Sequence, residues 1–198
     1  MSANTYLTPE ERAVLESARV GIAGAGGLGS NCAMHLVRAG VQHLTVVDFD
    51  VVNESNLNRQ FFFRDQLGQK KVEALKENLL RIDPATDIRA VDAKIDAASV
   101  KEIFADCDIV VEAFDVVDAK VMLVSSFASS GKNLVTASGL AGWGRSNEMR
   151  VRKMGNIVAV GDGEPAVGAN AAPASPRVGI AAAMQANSVV AILLGKEV

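Results

Sequence analysis

Two rhythms of apolar and polar positions alternate along the first 140 residues of the chain. Short apolar, often β-branched runs at 19–24 ("RVGIAG"), 43–48 ("HLTVVD"), 87–93 ("DIRAVDA"), 108–115 ("DIVVEAFD") and 133–139 ("NLVTASG") predict five strands. The run at 108–115 is the most apolar, which places it near the middle of a parallel sheet buried on both faces. Helical periodicity fills the gaps. "GGLGSNCAMHLVRAG" sets Leu28, Cys32 and Leu36 on one face, and Gly40 closes it as a left-handed cap. "GQKKVEALKENLLRID" (68–83) turns Val72, Leu75 and Leu79 inward, with Pro84 just past its end. Asp96 caps a helix predicted over 96–106, and "VVDAKVMLVSSFASSG" predicts another over 116–131. Strands alternating with helices imply an α/β protein with a Rossmann-like, doubly wound, mostly parallel sheet.

Beyond residue 140 the pattern changes. "MRVRKMGNIVAVGD" alternates around Gly155 and Asn156, a C-terminal antiparallel hairpin added to the sheet edge. Residues 161–177, rich in Gly, Ala and Pro, read as a mobile crossover loop, and "VGIAAAMQANSVVAILLG" (178–195) as a final helix. No repeat or second composition appears, so residues 1–198 are expected to form one domain, with 1–18 as an N-terminal segment.

Composition narrows the function classes. With 198 residues, 49% hydrophobic and 22% charged, the chain has enough apolar material for one sizeable core. A net charge of −3 and a pI near 5.4 point to neither nucleic acid nor an anionic membrane surface. Cys32 and Cys107 can build neither a disulfide framework nor a four-thiolate zinc site. The polar N-terminus is no signal peptide, and the apolar stretches fall far short of the roughly 20 residues expected of a membrane span. The expected location is a reducing cytoplasm.

"GAGGLG" (24–29) lies between a predicted strand and a predicted helix, the context in which G-x-G-x-x-G binds nucleotide phosphate. Gly24 permits the tight turn, Gly26 lets phosphate approach the backbone, and Gly29 allows close packing of helix on strand. Gly27 and Leu28 open the helix whose free N–H groups and dipole favour an anion. Asp48 ends the second strand, where a ribose-binding acid belongs. These features do not separate NAD from ATP.

The rest of the polar inventory does. A dehydrogenase needs an acid/base group near its substrate, yet the two histidines, His35 and His43, lie in the first helix and at the start of the second strand. Both suit surface or packing roles. Transfer of an adenylyl group needs cations and amides around the phosphates and a carboxylate for Mg²⁺. Asn56 and Arg59 in "SNLNRQ", Lys71 at the next helix and Asp115 after the fourth strand all fall at the C-terminal edge of the predicted sheet. Any one of them alone could be a solvated charge or a cap. Together they favour ATP.

The ordered set "GAGGLGS", "DFDVVNESNLNRQ", "GQKKVEAL" and "EAFD" resembles the ThiF/MoeB/HesA family, whose members are similar to the adenylation domain of ubiquitin-activating enzymes. Its ending resembles a short ThiF-type subgroup of thiamine biosynthesis. The resemblance implies an adenylyltransferase that uses ATP and Mg²⁺ to activate the C-terminal glycine carboxylate of a small ubiquitin-like sulfur carrier ending in Gly-Gly. It implies Asp48 as the ribose binder, Asn56, Arg59 and Lys71 as phosphate and transition-state contacts, and Asp115 as the Mg²⁺ ligand. Asp50, the second acid of D-x-D, is either a support for the loop or an exposed turn acid. A homodimer is implied, with Arg12 the one candidate for an arginine reaching across it. Alternatives are activation of a molybdopterin or other carrier, an ATP-dependent tRNA-modifying dehydratase, and a nucleotide-binding scaffold.

Three departures qualify the resemblance. No Cys-x-x-Cys pair is present, so zinc is not expected. Residues 139–177 contain no cysteine, which predicts adenylation without a covalent enzyme–carrier thioester and a separate protein as sulfur donor. Val116 stands where the family often has Asn after the metal-binding Asp. Trp143 suits either packing over a glycine tail or a place in the hairpin core.

Overall fold

The computed structural model describes residues 6–128, 130–164 and 172–198. Seven strands, β1 (Arg19–Ala23), β2 (His43–Asp48), β3 (Asp87–Asp92), β4 (Ile109–Glu112), β5 (Asn133–Ala137), β6 (Arg150–Met154) and β7 (Ile157–Gly161), form one sheet in the order β3-β2-β1-β4-β5-β7-β6. Every neighbouring pair is parallel except β6–β7, which is antiparallel. The apolar β4 is the middle strand, as its composition predicts, and the hairpin turns at Gly155 with φ 62°. The sequence pattern does not show that β7, rather than β6, pairs with β5. That pairing lets the exposed, Arg- and Lys-bearing β6 form the edge, where charge discourages pairing with other chains.

Strand alternation divides the core between the two sheet faces. Val20, Ile22, Ile109, Val111, Val135, Val158 and Val160 join one apolar cluster with residues of α1 (Pro9–Ser17), α2 (Gly27–Ala39), α3 (Lys71–Leu80) and α6 (Ser175–Leu193). Ala23, Val47, Val110 and Leu134 join another with residues of α4 (Val100–Ile103) and α5 (Val117–Ala128). Helices on both faces are what a parallel sheet requires.

Several boundaries differ from the sequence reading. α1 forms within the N-terminal segment, where Thr8 and Glu11 cap it reciprocally. The helix expected over 96–106 shrinks to four residues, preceded by a turn in which the Asp96 carboxylate accepts the N–H groups of Ala98 and Ser99 as a cap does. The crossover loop is shorter than 161–177. Gly161 ends β7, and Ser175, Pro176 and Arg177 form the first turn of α6, where proline costs no helix hydrogen bond. Residues 165–171 of that loop lie outside the described residues. α6 also corrects the expectation that no segment nears membrane-span length: it has 19 residues and a mean hydropathy of 1.2. Here it packs into the core, with Arg177 on Asp162 at 2.5 Å and Gln185 donating to the Glu112 carbonyl at 2.9 Å.

Candidate active site

The chain leaves β1 for β2 and β3 on one side of the sheet, then returns to β4 on the other. That reversal opens a crevice beyond the C-terminal ends of β1 and β4, the place where open α/β sheets bind ligands. A cleft of about 610 Å³ lies there, within the roughly 300–1,000 Å³ of small-ligand sites.

The phosphate loop forms its floor. Gly24 has φ 101°, and its N–H donates to the Val47 carbonyl at 2.8 Å. A Cβ on Gly29 would stand 1.8 Å from the Gly24 carbonyl oxygen, so helix and strand meet without room for a side chain. Gly26 caps α2, and Gly24, Gly26, Gly27 and Leu28 line the cleft. The N–H groups of the first turn therefore face it without intrahelical partners.

Asp48 organises this floor from the end of β2. One carboxylate oxygen accepts the Ala25 N–H at 2.7 Å and the other the Asp50 N–H at 2.8 Å. Each oxygen keeps a lone pair for a hydroxyl. Asp50 supports the loop by gripping Lys71 twice. Its carboxylate holds the Lys71 ammonium at 2.7 Å, and its carbonyl accepts the Lys71 N–H at 2.9 Å. The Lys71 side chain is 7% exposed and the Asp50 carboxylate 49%, so the lysine is buried at the cleft wall while its partner stays hydrated. Arg59 lines the same wall, steadied by the Ser55 carbonyl at 3.1 Å and the Asn58 side chain at 2.8 Å.

Asn56 and Gly29 are the expected site residues that do not line the cleft; Gly29 serves the helix–strand packing, and Asn56 its own turn. The Asn56 side-chain oxygen accepts the Asn53 N–H at 2.9 Å and closes the short 3₁₀ turn that starts "SNLNRQ". Asp115 lines the same cleft, exposed, in the bend between β4 and α5. Val116 beside it lines the cleft, 58% exposed, and brings no oxygen.

Other polar groups carry no motif that marks them. Asn31, in α2, donates to the carbonyls of Gly27 (2.7 Å) and Arg59 (2.9 Å); the Ser30 hydroxyl donates to Gly26 (2.6 Å) and accepts the Phe61 N–H (3.0 Å). These bonds tie the Arg59 segment to the phosphate loop. Their only signal in the sequence is two polar residues following the last glycine, on a helix face otherwise apolar. Glu112, Lys120 and Thr136 also meet, with only Lys120 of the three lining the cleft. An acid inside the most apolar strand is the visible clue to them.

Mg²⁺ usually takes one or two carboxylates, phosphate oxygens and water. Asp115, exposed and lining the same cleft as the phosphate loop, fits that pattern, and no larger His, Cys, Asp and Glu cluster suited to a metal occurs among the described residues. Neither His35 nor His43 lines the cleft, and burial lowers the His35 pKa. Trp143 is 69% exposed, which excludes the hairpin-core reading for it. Cys32 and Cys107 are buried, and burial pushes both thiols up. Native alkylation with iodoacetamide at pH 8 is therefore expected to be far slower than in denaturant, and a Cys32→Ala/Cys107→Ala variant should keep its nucleotide chemistry. Rapid native labelling or loss of turnover would assign one thiol a role.

Known proteins share this fold and part of this sequence. The ThiF family model matches residues 3–198. The chain is 31% identical over 195 residues to the molybdopterin-synthase adenylyltransferase of Escherichia coli, covering 91% of this chain and 75% of that one. It is 38% identical over 127 residues to the adenylyltransferase and sulfurtransferase UBA4 of Eremothecium gossypii, covering 64% of this chain but 29% of that one. The chain thus spans less than a third of that relative. Among solved structures, the E. coli tRNA N6-threonylcarbamoyladenosine dehydratase TcdA in complex with ATP superposes with a TM-score of 0.89 at 21% identity, covering 98% of this chain and 92% of that chain. At that identity the likeness shows the fold alone. The matched family model, the order of the loops and the shared fold lead to one conclusion: the chain belongs to the ThiF family.

Proposed function

We propose that the cleft is an adenylation site that activates the C-terminal glycine carboxylate of a small ubiquitin-like sulfur carrier with ATP. The observation carrying this reading is what shares one cleft with the phosphate loop: Arg59, Lys71 and Asp115, together with the small residues Ala137, Ser138, Gly139 and Ala141. A wall of small side chains admits an extended Gly-Gly tail and rejects bulkier termini. In the reaction a carboxylate oxygen attacks the α-phosphorus, the bond to the β-phosphate oxygen breaks, and pyrophosphate leaves with both bonding electrons. Acyl-AMP remains. No covalent enzyme intermediate is needed, so catalysis is positioning and charge stabilisation.

Each residue has a place in that scheme. Asp48 takes the ribose hydroxyls, and the N–H groups of the Gly26–Gly29 turn take the phosphates. Arg59 presents a planar fork to phosphate oxygens, and Lys71 is a point charge that can follow the departing pyrophosphate. Asn56 shapes the turn that carries Arg59. Asp115 would hold Mg²⁺, which would neutralise phosphate charge. A separate protein delivers the sulfur, and the enzyme works as a cytoplasmic homodimer.

The carrier is of the thiamine or the molybdopterin type; the ending of the chain favours the former, the E. coli relative's name the latter. A tRNA-directed dehydratase would need a basic surface, and net charge −3 with a pI near 5.4 argues against it. The test is incubation with ATP, Mg²⁺ and a panel of purified carriers, followed by intact-mass analysis. One carrier should gain an AMP adduct at its terminal glycine; an unmodified panel would sink the proposal.

A further inference from the structure

Glu112 is the last residue of β4, and its side chain is fully buried in a strand whose other members are Ile109, Val110 and Val111. An apolar residue would cost less there, because a buried ion pair rarely repays its desolvation. The carboxylate is nevertheless fully engaged. The Lys120 ammonium and the Thr136 hydroxyl both donate to one oxygen, and the Phe114 N–H donates to the other at 2.8 Å. Lys120 also donates to the Ala137 carbonyl at 2.9 Å, and the Glu112 carbonyl accepts from Gln185 at 2.9 Å. One cluster thereby joins the ends of β4 and β5 to the first turn of α5.

The bend between its two charged members carries Asp115. Ala113 is held to the Ala23 carbonyl at 2.9 Å and Phe114 to the Glu112 side chain, while Lys120 anchors the helix that follows. Asp115 itself is exposed, and no ion pair involving it is found among the described residues. Its aim into the cleft is thus set by its neighbours. We infer that Glu112, Lys120 and Thr136 are positioning residues that hold Asp115 where a nucleotide-bound divalent cation would lie. The inference rests on the adenylation reading only in taking ATP and Mg²⁺ as ligands.

The experiment measures ATP binding by calorimetry in EDTA and in Mg²⁺, with no carrier present. In the unmodified protein Mg²⁺ should tighten ATP binding. A Glu112→Leu/Lys120→Met variant removes the buried carboxylate and its partly exposed ammonium partner at similar volume. It should fold with a lowered melting temperature, because the Phe114 N–H and the Thr136 hydroxyl lose their acceptor, keep its ATP affinity in EDTA, and lose about 10–100-fold of the Mg²⁺ enhancement. Thr136→Val, a milder change that keeps the ion pair, should move the enhancement in the same direction by less. On an Asp115→Asn background the double substitution should add nothing, since it acts through Asp115. An enhancement retained in the folded variant, equal weakening with and without Mg²⁺, additive effects with Asp115→Asn, or no Mg²⁺ enhancement in the unmodified protein would each overturn the inference. If Glu112→Leu/Lys120→Met does not fold, an unchanged enhancement in Thr136→Val would overturn it as well. Absence of any adenylated carrier would instead defeat the functional reading and leave this coupling intact.

Discussion

Lys71→Met lowers pyrophosphate exchange by roughly 10²–10³-fold, the loss expected when one preorganised charge contact to a transition state disappears. The size follows from where the ammonium sits. Its side chain is 7% exposed at the cleft wall and is held by Asp50 at 2.7 Å, so it is positioned before substrate arrives. Methionine keeps the buried stem, and the half-exposed Asp50 is rehydrated when its partner goes. The melting temperature should therefore move by only about 2–4 °C, the shift that about 1 kcal/mol produces in a domain of this size. Asp50→Asn keeps the lysine but loosens it, and should cost less than Lys71→Met. A Lys71→Met variant with full exchange would reduce the lysine to an anchor for the Asp48–Asp50 loop.

Gly29→Ala and Gly26→Ala separate the fold from the ligand within one loop. At Gly29 the added methyl would lie 1.8 Å from the Gly24 carbonyl oxygen and 3.2 Å from the Ala113 side chain. Backbone must move, at a cost of roughly 1–3 kcal/mol or more, which lowers the melting temperature by on the order of 5–10 °C. At Gly26 the methyl meets nothing closer than the Gln60 side chain at 3.9 Å, and φ is −79°. The apoprotein tolerates it; the space it fills is the space a phosphate needs. Gly26→Ala should melt like the unmodified protein and fail to bind ATP. Thermal melts with and without ATP check both variants. Full ATP binding by Gly26→Ala would show that phosphate does not approach there.

What the sequence made legible follows from which constraints are local. The strands around the Gly24–Gly29 loop, the left-handed Gly40 cap and the Gly155 turn each depend on a few neighbouring residues, and each appears as expected. Gly24, Gly26, Gly27, Leu28, Asp48, Asp50, Arg59, Lys71 and Asp115 converge on one cleft because all stand at C-terminal strand ends, at helix starts or in the loops between them, which a doubly wound sheet gathers at one edge. Asn56 belongs to the same motif, but its side chain turns inward on its own loop, a choice that spacing cannot reveal. The contacts of Asn31 with Arg59 and of Glu112 with Lys120 and Thr136 join residues distant in the chain or on different elements. Local patterns carry no record of such pairings. The start of α6 is obscured in the sequence by Pro176, whose usual role as a helix breaker does not hold in the first turn.

The central claim is that this cleft joins a carrier's terminal carboxylate to the α-phosphate of ATP. Exchange of labelled pyrophosphate into ATP measures that step in reverse, without any sulfur donor. Exchange should require Mg²⁺ and a carrier ending in Gly-Gly, and should vanish when the carrier's last glycine is removed. Exchange that proceeds equally without a carrier, or with the truncated one, would contradict that claim.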